Sequence, residues 1–327
     1  MRTSTPPRPR LLVSRCLTPD RCRYDGGDAP SELVRRLAEH ADLVAVCPET
    51  EIGLGVPRDP IRIVIAEGEM RLVQPSTGRD LTKLMTGFRS TFLDGLGEVD
   101  GAILKSRSPS CGLRDTSVLS DRDGAVLLTN QAGMFGQEVL RRFVGTPVED
   151  DARLQDDRTA GHFLTAAFTL ASFRQLDGSM RELIEFQSRN KLLLMLYSQK
   201  EMRALGGIVA DRSGGGAPEA YRRYRERLGA ALRQLPSRNS PVNVMMHAFG
   251  YVSAQLDGEE RRSFLDALQA YREERMSLDR CLELTRSLIA RTGNEYLEAQ
   301  TFFRPYPKAC GKTVPLMGSE IMHRRAR

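Results

Sequence analysis

The apolar positions in the first 150 residues come in short runs. Leu11-Leu12-Val13, Leu43-Val44-Ala45-Val46 and Gly101-Ala102-Ile103-Leu104 have the length and polar flanks of buried strands, and they predict strands over 10–15, 43–46 and 101–105. Ser31 is an N-cap for a helix over 31–40 that turns Leu33, Val34 and Leu37 to one side. Ile61-Arg-Ile-Val-Ile65 and Met70-Arg-Leu-Val73 read as a hairpin around Glu67-Gly68. Leu81, Leu84, Phe88, Phe92 and Leu96 recur at helical spacing over 80–96. An edge strand at 124–129 and a short helix at 137–143 complete this half.

Strands alternating with helices predict an α/β domain with an open, mostly parallel, Rossmann-like sheet and right-handed crossovers, the hairpin being an insertion or an antiparallel edge. The acidic, polar stretch 147–158 marks a boundary. Beyond it the pattern is helical throughout, over 159–174, 178–204, 217–234, 240–254, 258–273 and 277–290, and ends in the extended Phe303-Arg-Pro-Tyr-Pro307. The expectation is an α/β domain over 8–150 and an all-α helical bundle over 159–310.

Composition narrows the class. The 327 residues are 40% hydrophobic and 28% charged, and no run approaches the roughly 18 apolar residues of a membrane helix. The first ten residues lack the apolar core of a secretory signal and read as a disordered leader, so a cytoplasmic protein with reduced thiols and no membrane contact is expected. Charge is uneven. Residues 1–150 carry 20 Lys+Arg against 21 Asp+Glu, and the remainder carries 28 against 21. That asymmetry permits RNA or DNA contact through the basic C-terminal half, although a solvated arginine-rich surface is the plainer account.

Four of the six cysteines lie in the first 111 residues, and three follow strands: Cys16 after the first, Cys47 after the second, Cys111 in the loop Lys105-Ser-Arg-Ser-Pro-Ser-Cys-Gly112 after the third. If these strands are parallel neighbours, their carboxyl ends share the crevice where open α/β sheets bind ligands. Packing cysteines would sit inside the strands, not in polar loops beyond them. No Cys-x₂-Cys pair suggests structural zinc, and three thiolates on separate loops suit an iron–sulfur cluster with one iron lacking a protein ligand. Zinc and a redox thiol switch stay open on spacing alone.

Cys22, six residues after Cys16, reads as a bystander in the loop or as a fourth ligand, the bystander being the plainer account. Cys281 sits among leucines at helical spacing and reads as packing, as does His247. Cys310-Gly-Lys-Thr313 fails as a phosphate loop because position 306 is Tyr306 and no strand precedes it. Glu49, two residues past Cys47, can reach the crevice as an acid or base. Ser106, Ser108 and Ser110 flank Cys111. Arg23-Tyr-Asp25-Gly-Gly27 is a tight turn or a substrate anchor, and Arg58 is a weaker candidate of the same kind.

Together, Ser14-Arg-Cys16-Leu, Arg23-Tyr-Asp-Gly-Gly27, Cys47-Pro-Glu49, Gly53-Leu-Gly-Val-Pro-Arg58 and the Cys111 loop resemble the thiouracil desulfurase family over residues 8–145. The resemblance implies a [4Fe-4S] cluster held by Cys16, Cys47 and Cys111, with Cys22 not required. It implies removal of sulfur from a thiolated uracil-type compound: the open iron takes the thiocarbonyl sulfur and water replaces it at carbon. Glu49 would handle the proton, and Ser108 would position substrate or activate water. Arg23, Asp25, Arg58 and Ser110 are the weaker candidates for substrate contact. The segment after Cys111 lacks the glycine- and tyrosine-rich continuation of stand-alone members. Asn243-Val-Met-Met-His247, Phe249-Gly-Tyr251, Tyr271-Arg272 and Tyr296-Leu-Glu-Ala-Gln300 with Arg304-Pro-Tyr-Pro307 resemble the YbgA-type helical domain of unknown function.

The expected function is thus iron–sulfur-dependent desulfurisation of a thiolated pyrimidine or related thioamide. The rival from another class is a nucleic-acid-associated protein with a structural or redox-sensing cluster, binding through its basic helices.

Overall fold

The run after Pro9 forms β1 (Arg10–Ser14), whose Leu11, Leu12 and Val13 are wholly buried. A strand covered on both faces needs parallel neighbours, and it has two. The computed structural model describes residues 7–211, 215–237 and 239–311. It divides into two units, Arg8–Gln155 and the chain from Asp156 onward. Most of the expected leader, and residues 212–214 of the Gly-rich break, lie outside the described residues.

In the first unit, α1 (Glu32–Leu37), capped by Ser31 accepting from the Val34 N–H, leads to β2 (Asp42–Val46). A short α2 (Pro48–Glu51) follows at once, and its Pro48 needs no N–H at the first helical position. Then come β3 (Arg62–Ala66), β4 (Glu69–Gln74), β5 (Arg79–Asp80), α3 (Thr82–Gly95), β6 (Gly101–Leu104), β7 (Thr116–Ser120), β8 (Val126–Gln131), α4 (Met134–Arg142) and β9 (Val148–Asp150).

These strands form two sheets, not the single sheet expected. One is all-parallel, in the order β2-β1-β6-β9, with Leu12 opposite Val44 and Ala102. The other is mixed, in the order β5-β4-β3-β7-β8. The hairpin β3–β4 belongs to this second sheet, where β3 also pairs in parallel with β7. The 147–158 stretch contains β9, the fourth parallel strand. Leu12, Ala102 and Leu104 from the first sheet and Ile63, Leu72 and Val118 from the second join Met85, Phe135 and Val139 in one core.

The second unit is helical: α5 (Asp157–Arg174), α6 (Met180–Arg189), α7 (Lys191–Tyr197), α8 (Gln199–Ala210), α9 (Gly216–Ala231), α10 (Ser240–Val252), α11 (Gly258–Arg272), α12 (Leu278–Thr292) and α13 (Glu295–Glu298). The helix expected over 178–204 is three. Ser198, extended, caps α8 through the Glu201 N–H. Between α6 and α7 the Gln300 amide accepts the Leu192 N–H at 3.0 Å and donates to the Ser188 carbonyl at 2.9 Å. No helix among the described residues is long and apolar enough to cross a membrane.

Candidate active site

Because β2, β1 and β6 are consecutive and parallel, their carboxyl ends open on the same edge. Cys16, Cys47 and Cys111 follow these three strands and line one cavity of about 730 Å³. The fourth strand, β9, delivers Asp151, Ala152 and Gln155 to the same cavity. Cys22 lines it as well.

The Cys111 loop rests on a helix end. The N–H groups of Met134, Phe135 and Gly136, which have no partner within α4, donate to the carbonyls of Pro109 and Ser110, and the Gly133 N–H donates to Gly112. An added Cβ at Gly112, Gly133 or Gly136 would collide with the opposing backbone or with Thr116, so this seat admits only glycine there. The positive end of α4 thereby sits behind Ser108, Ser110 and Cys111. Arg107 has a left-handed backbone (φ 56), an uncommon state for a non-glycine residue, and its N–H is held by Asp115 at 2.9 Å.

The Cys47 loop is held by an ion pair. Gly53 and Gly55, both at positive φ, turn the chain back so that the Arg58 Nε meets Glu49 Oε2 at 2.9 Å, with the arginine side chain 4% exposed. Arg58 also donates to the carbonyls of Cys22 and Gly55, each at 3.0 Å, and its Nη2 lies 3.8 Å from Cys47 Sγ. It lines the cavity as expected, and its guanidinium also fixes Glu49 in the wall.

The other oxygen of Glu49 accepts from Ser110 Oγ at 2.7 Å. Ser110 Oγ lies 2.9 Å from Ser108 Oγ, which itself accepts the backbone N–H groups of Cys111 (3.0 Å) and Ser110 (3.3 Å). A serine has one hydroxyl hydrogen. With that of Ser110 on Glu49, the Ser108 hydroxyl donates to Ser110, giving a chain from Ser108 through Ser110 to Glu49. Ser110, a weak candidate in the sequence, is the direct partner of Glu49.

Lys105 and Asp151, which the sequence did not single out, pair at 2.7 Å on the cavity wall, and Asp151 also accepts the Ser106 N–H at 2.7 Å. Arg23 and Tyr24 line the cavity. Asp25 does not. Its carboxylate accepts the Gly27 N–H at 3.0 Å, which holds it below the usual carboxylate range, and it faces Arg23 at 3.4 Å. It closes the turn that carries Arg23 and Tyr24 to the cavity wall.

Burial, reinforced by the neighbouring Cys47, pushes the Cys16 thiol up to about 11, against a smaller opposing pull from Lys105. Burial raises Cys111 further, with Cys16, Glu49 and Cys47 adding to it against a hydrogen bond to Ser14. Thiols that raise one another ionise together only around a positive centre. Among the described residues no three His, Cys, Asp or Glu side chains close on a single ion. A cluster presents a separate iron to each thiolate and needs them more widely spread. The donor set, with Arg58, Lys105 and Arg23 around it to balance charge, fits such a group.

Cys281 lies in the apolar core of the helical unit, as packing requires. His247 does not: it is exposed, edge-on to Tyr251, and lines a separate groove between α6, α7, α8 and α10. Arg222, Arg223, Arg227, Arg275 and Arg291 each face a carboxylate, so much of the positive charge of this unit is paired.

The fold and cavity define a class: an α/β domain in which parallel strand ends gather thiols, a carboxylate and serines into one pocket, followed by a helical domain. The chain belongs to the 2-thiouracil desulfurase family, whose profile matches residues 11–151, and continues into a domain of the family DUF1722, of unknown function, matched over residues 191–307. Both resemblances read from the motifs hold. The chain is 37% identical over 109 residues to YbbK of Bacillus subtilis (strain 168), which spans 31% of this chain and 72% of that protein. It is 29% identical over 127 residues to YbgA of Escherichia coli (strain K12), or 38% and 75% of the two. The solved structure of the [4Fe-4S]-dependent thiouracil desulfidase TudS is 28% identical and covers 45% of this chain and 94% of its own, with a TM-score of 0.36. These matches give no support for contact with RNA or DNA.

Proposed function

We propose that Cys16, Cys47 and Cys111 hold a [4Fe-4S] cluster at the ends of β1, β2 and β6, and that the chain replaces the sulfur of a thiolated pyrimidine, or a related thioamide, with oxygen from water. One observation carries this reading: three thiols from adjacent parallel strands line the same cavity as a carboxylate that is hydrogen-bonded to a serine pair. The family assignment supports the reaction class.

When bound, the group supplies one iron without a protein ligand, a Lewis acid for the thiocarbonyl sulfur. The chain's own residues do the rest. Ser108 Oγ, accepting two backbone N–H groups with the α4 N-terminus behind it, is a site where negative charge is stabilised. It can hold the attacking water or lend it a negative oxygen. The proton moves from Ser108 through Ser110 to Glu49, whose other carboxylate oxygen is held by Arg58 at 2.9 Å. Oxygen adds at the thiocarbonyl carbon, the C–S bond breaks, and the departing sulfur receives both protons of the water, one returned by Glu49 and one released from the hydroxyl formed at that carbon. The sum is thiocarbonyl plus water giving carbonyl plus hydrogen sulfide, with no net electron transfer. Tyr24 and Arg23 stand at the wall for the planar ring. The cavity falls within the ~300–1,000 Å³ usual for small-ligand sites.

The test is anaerobic reconstitution followed by iron and sulfide determination and a 2-thiouracil assay. About four irons and four sulfides per chain, with release of uracil and sulfide, are expected. A loaded protein that leaves thiolated pyrimidines and thioamides unchanged would overturn the reading.

A further inference from the structure

The first unit holds a fourth thiol that neither the reaction above nor the packing accounts for. Cys22 is 5% exposed, yet it belongs to neither apolar core, unlike Cys111 in one and Cys281 in the other. It lines the same cavity as the other three. Its carbonyl accepts from Arg58 at 3.0 Å and from Cys47 Sγ at 3.9 Å, and its thiol lies within electrostatic reach of Cys47 and Cys16. The segment that carries it is a polar loop, closed by turns at Asp20 and Arg23, and not a strand. A thiol in a polar wall, against a proposed ligand and on a loop outside the sheet, is placed to bind metal.

We propose that Cys22 is a displaceable fourth ligand: it occupies the iron that lacks one of the three fixed thiolates when no substrate is present, and it gives way to the thiocarbonyl sulfur. This rests on the three-thiolate reading above and extends it. Cys16, Cys47 and Cys111 directly follow parallel strands or lie on the α4 seat, so their positions are fixed by the sheet. Cys22 has no such anchor on its side-chain side. The exchange is redox-neutral. The Cys22 sulfur–iron bond breaks, a substrate sulfur–iron bond forms, and the released thiolate takes a proton from water. Such an arrangement keeps a labile iron coordinated between turnovers and makes the site answer only to ligands soft enough to compete with a thiolate.

The experiment uses the full chain, wild type and Cys22→Ala, both reconstituted without oxygen. Iron and sulfide are counted first; a wild type that takes up no cluster sinks the three-thiolate reading itself. With both proteins loaded, each is titrated with ferricyanide, and the [3Fe-4S] signal is followed by electron paramagnetic resonance. The expected result is that Cys22→Ala loses about one iron per chain while wild type keeps all four. Equal loss, or equal retention, overturns the assignment of Cys22. A second measurement needs no variant. Loaded wild type is treated with iodoacetamide with and without 2-thiouracil, and Cys22 alkylation is read by mass spectrometry. Labelling that rises when the thioamide is present is expected, and labelling unchanged by it overturns the proposal.

Discussion

The first unit contains two sheets of similar size, and among the described residues one of them turns its strand ends to the thiol-lined cavity. In β2-β1-β6-β9 every strand points the same way, so four successive chain segments emerge on one edge and their loops must meet. In β5-β4-β3-β7-β8 the direction changes at three of the four pairings, and the connections scatter to both edges. The core treats them alike, since Ile63, Leu72 and Val118 are buried as completely as Leu12 and Ala102. Strand direction, more than burial, separates a sheet that builds a site from one that supports it.

That contrast can be broken most decisively at the thiols. Cys16→Ser, Cys47→Ser or Cys111→Ser is expected to abolish iron and sulfide uptake, whereas Cys281→Ser in the helical core leaves both at the wild-type level. Full loading of Cys111→Ser would dissolve the distinction between the sheets. Next in size is Glu49→Gln, which removes the proton acceptor but keeps the shape: loading unchanged, 2-thiouracil turnover down by roughly 10²–10⁴-fold, the range of a lost acid–base group. The converse case is Ile63→Ala in the mixed sheet, expected to cost about 2–5 kcal/mol in a denaturant titration while leaving iron per folded chain and turnover per iron unaltered. A fall in turnover per iron would show that the second sheet does more than support.

The smallest effect is one of pH on the metal-free protein. The Cys16 thiol stands at about 11 and that of Cys22 at about 12, raised chiefly by burial. Both remain protonated in the folded state where an unfolded thiol, near about 8.5, has ionised. Their contribution to stability is complete below that value and is lost as pH climbs through 9 to 11. The urea midpoint of metal-free protein should therefore fall between pH 8 and pH 10. Cys16→Ala with Cys22→Ala should flatten the fall.

The parallel sheet and its cysteines were legible because each strand was a short apolar run with a thiol just beyond it. The α/β class and the helical half followed from the same periodicities. What escaped notice lacked a local signal. β7 buries Thr116 and Val118 in a mostly polar stretch, and β9 is three residues long with two of them acidic, so its hydrogen bonds to β6, not its composition, make it a strand. The breaks in the helix expected over 178–204 are stabilised partly by Gln300, which lies more than a hundred positions away. At the site, the spacing of Asp25 to Gly27 serves a turn, the first of the two readings the sequence offered. Lys105 and Asp151 pair across 46 positions, which no local pattern announces.

Arg58 joins Glu49, the Cys22 carbonyl, the Gly55 carbonyl and the edge of Cys47, which ties the β1–α1 and β2–β3 connections at one buried point. A wall fastened in this way has no independent flaps. Glu49, Cys47 and the backbone of the loop carrying Cys22 are thereby coupled through a single side chain, so a shift in any one of them is felt by the other two.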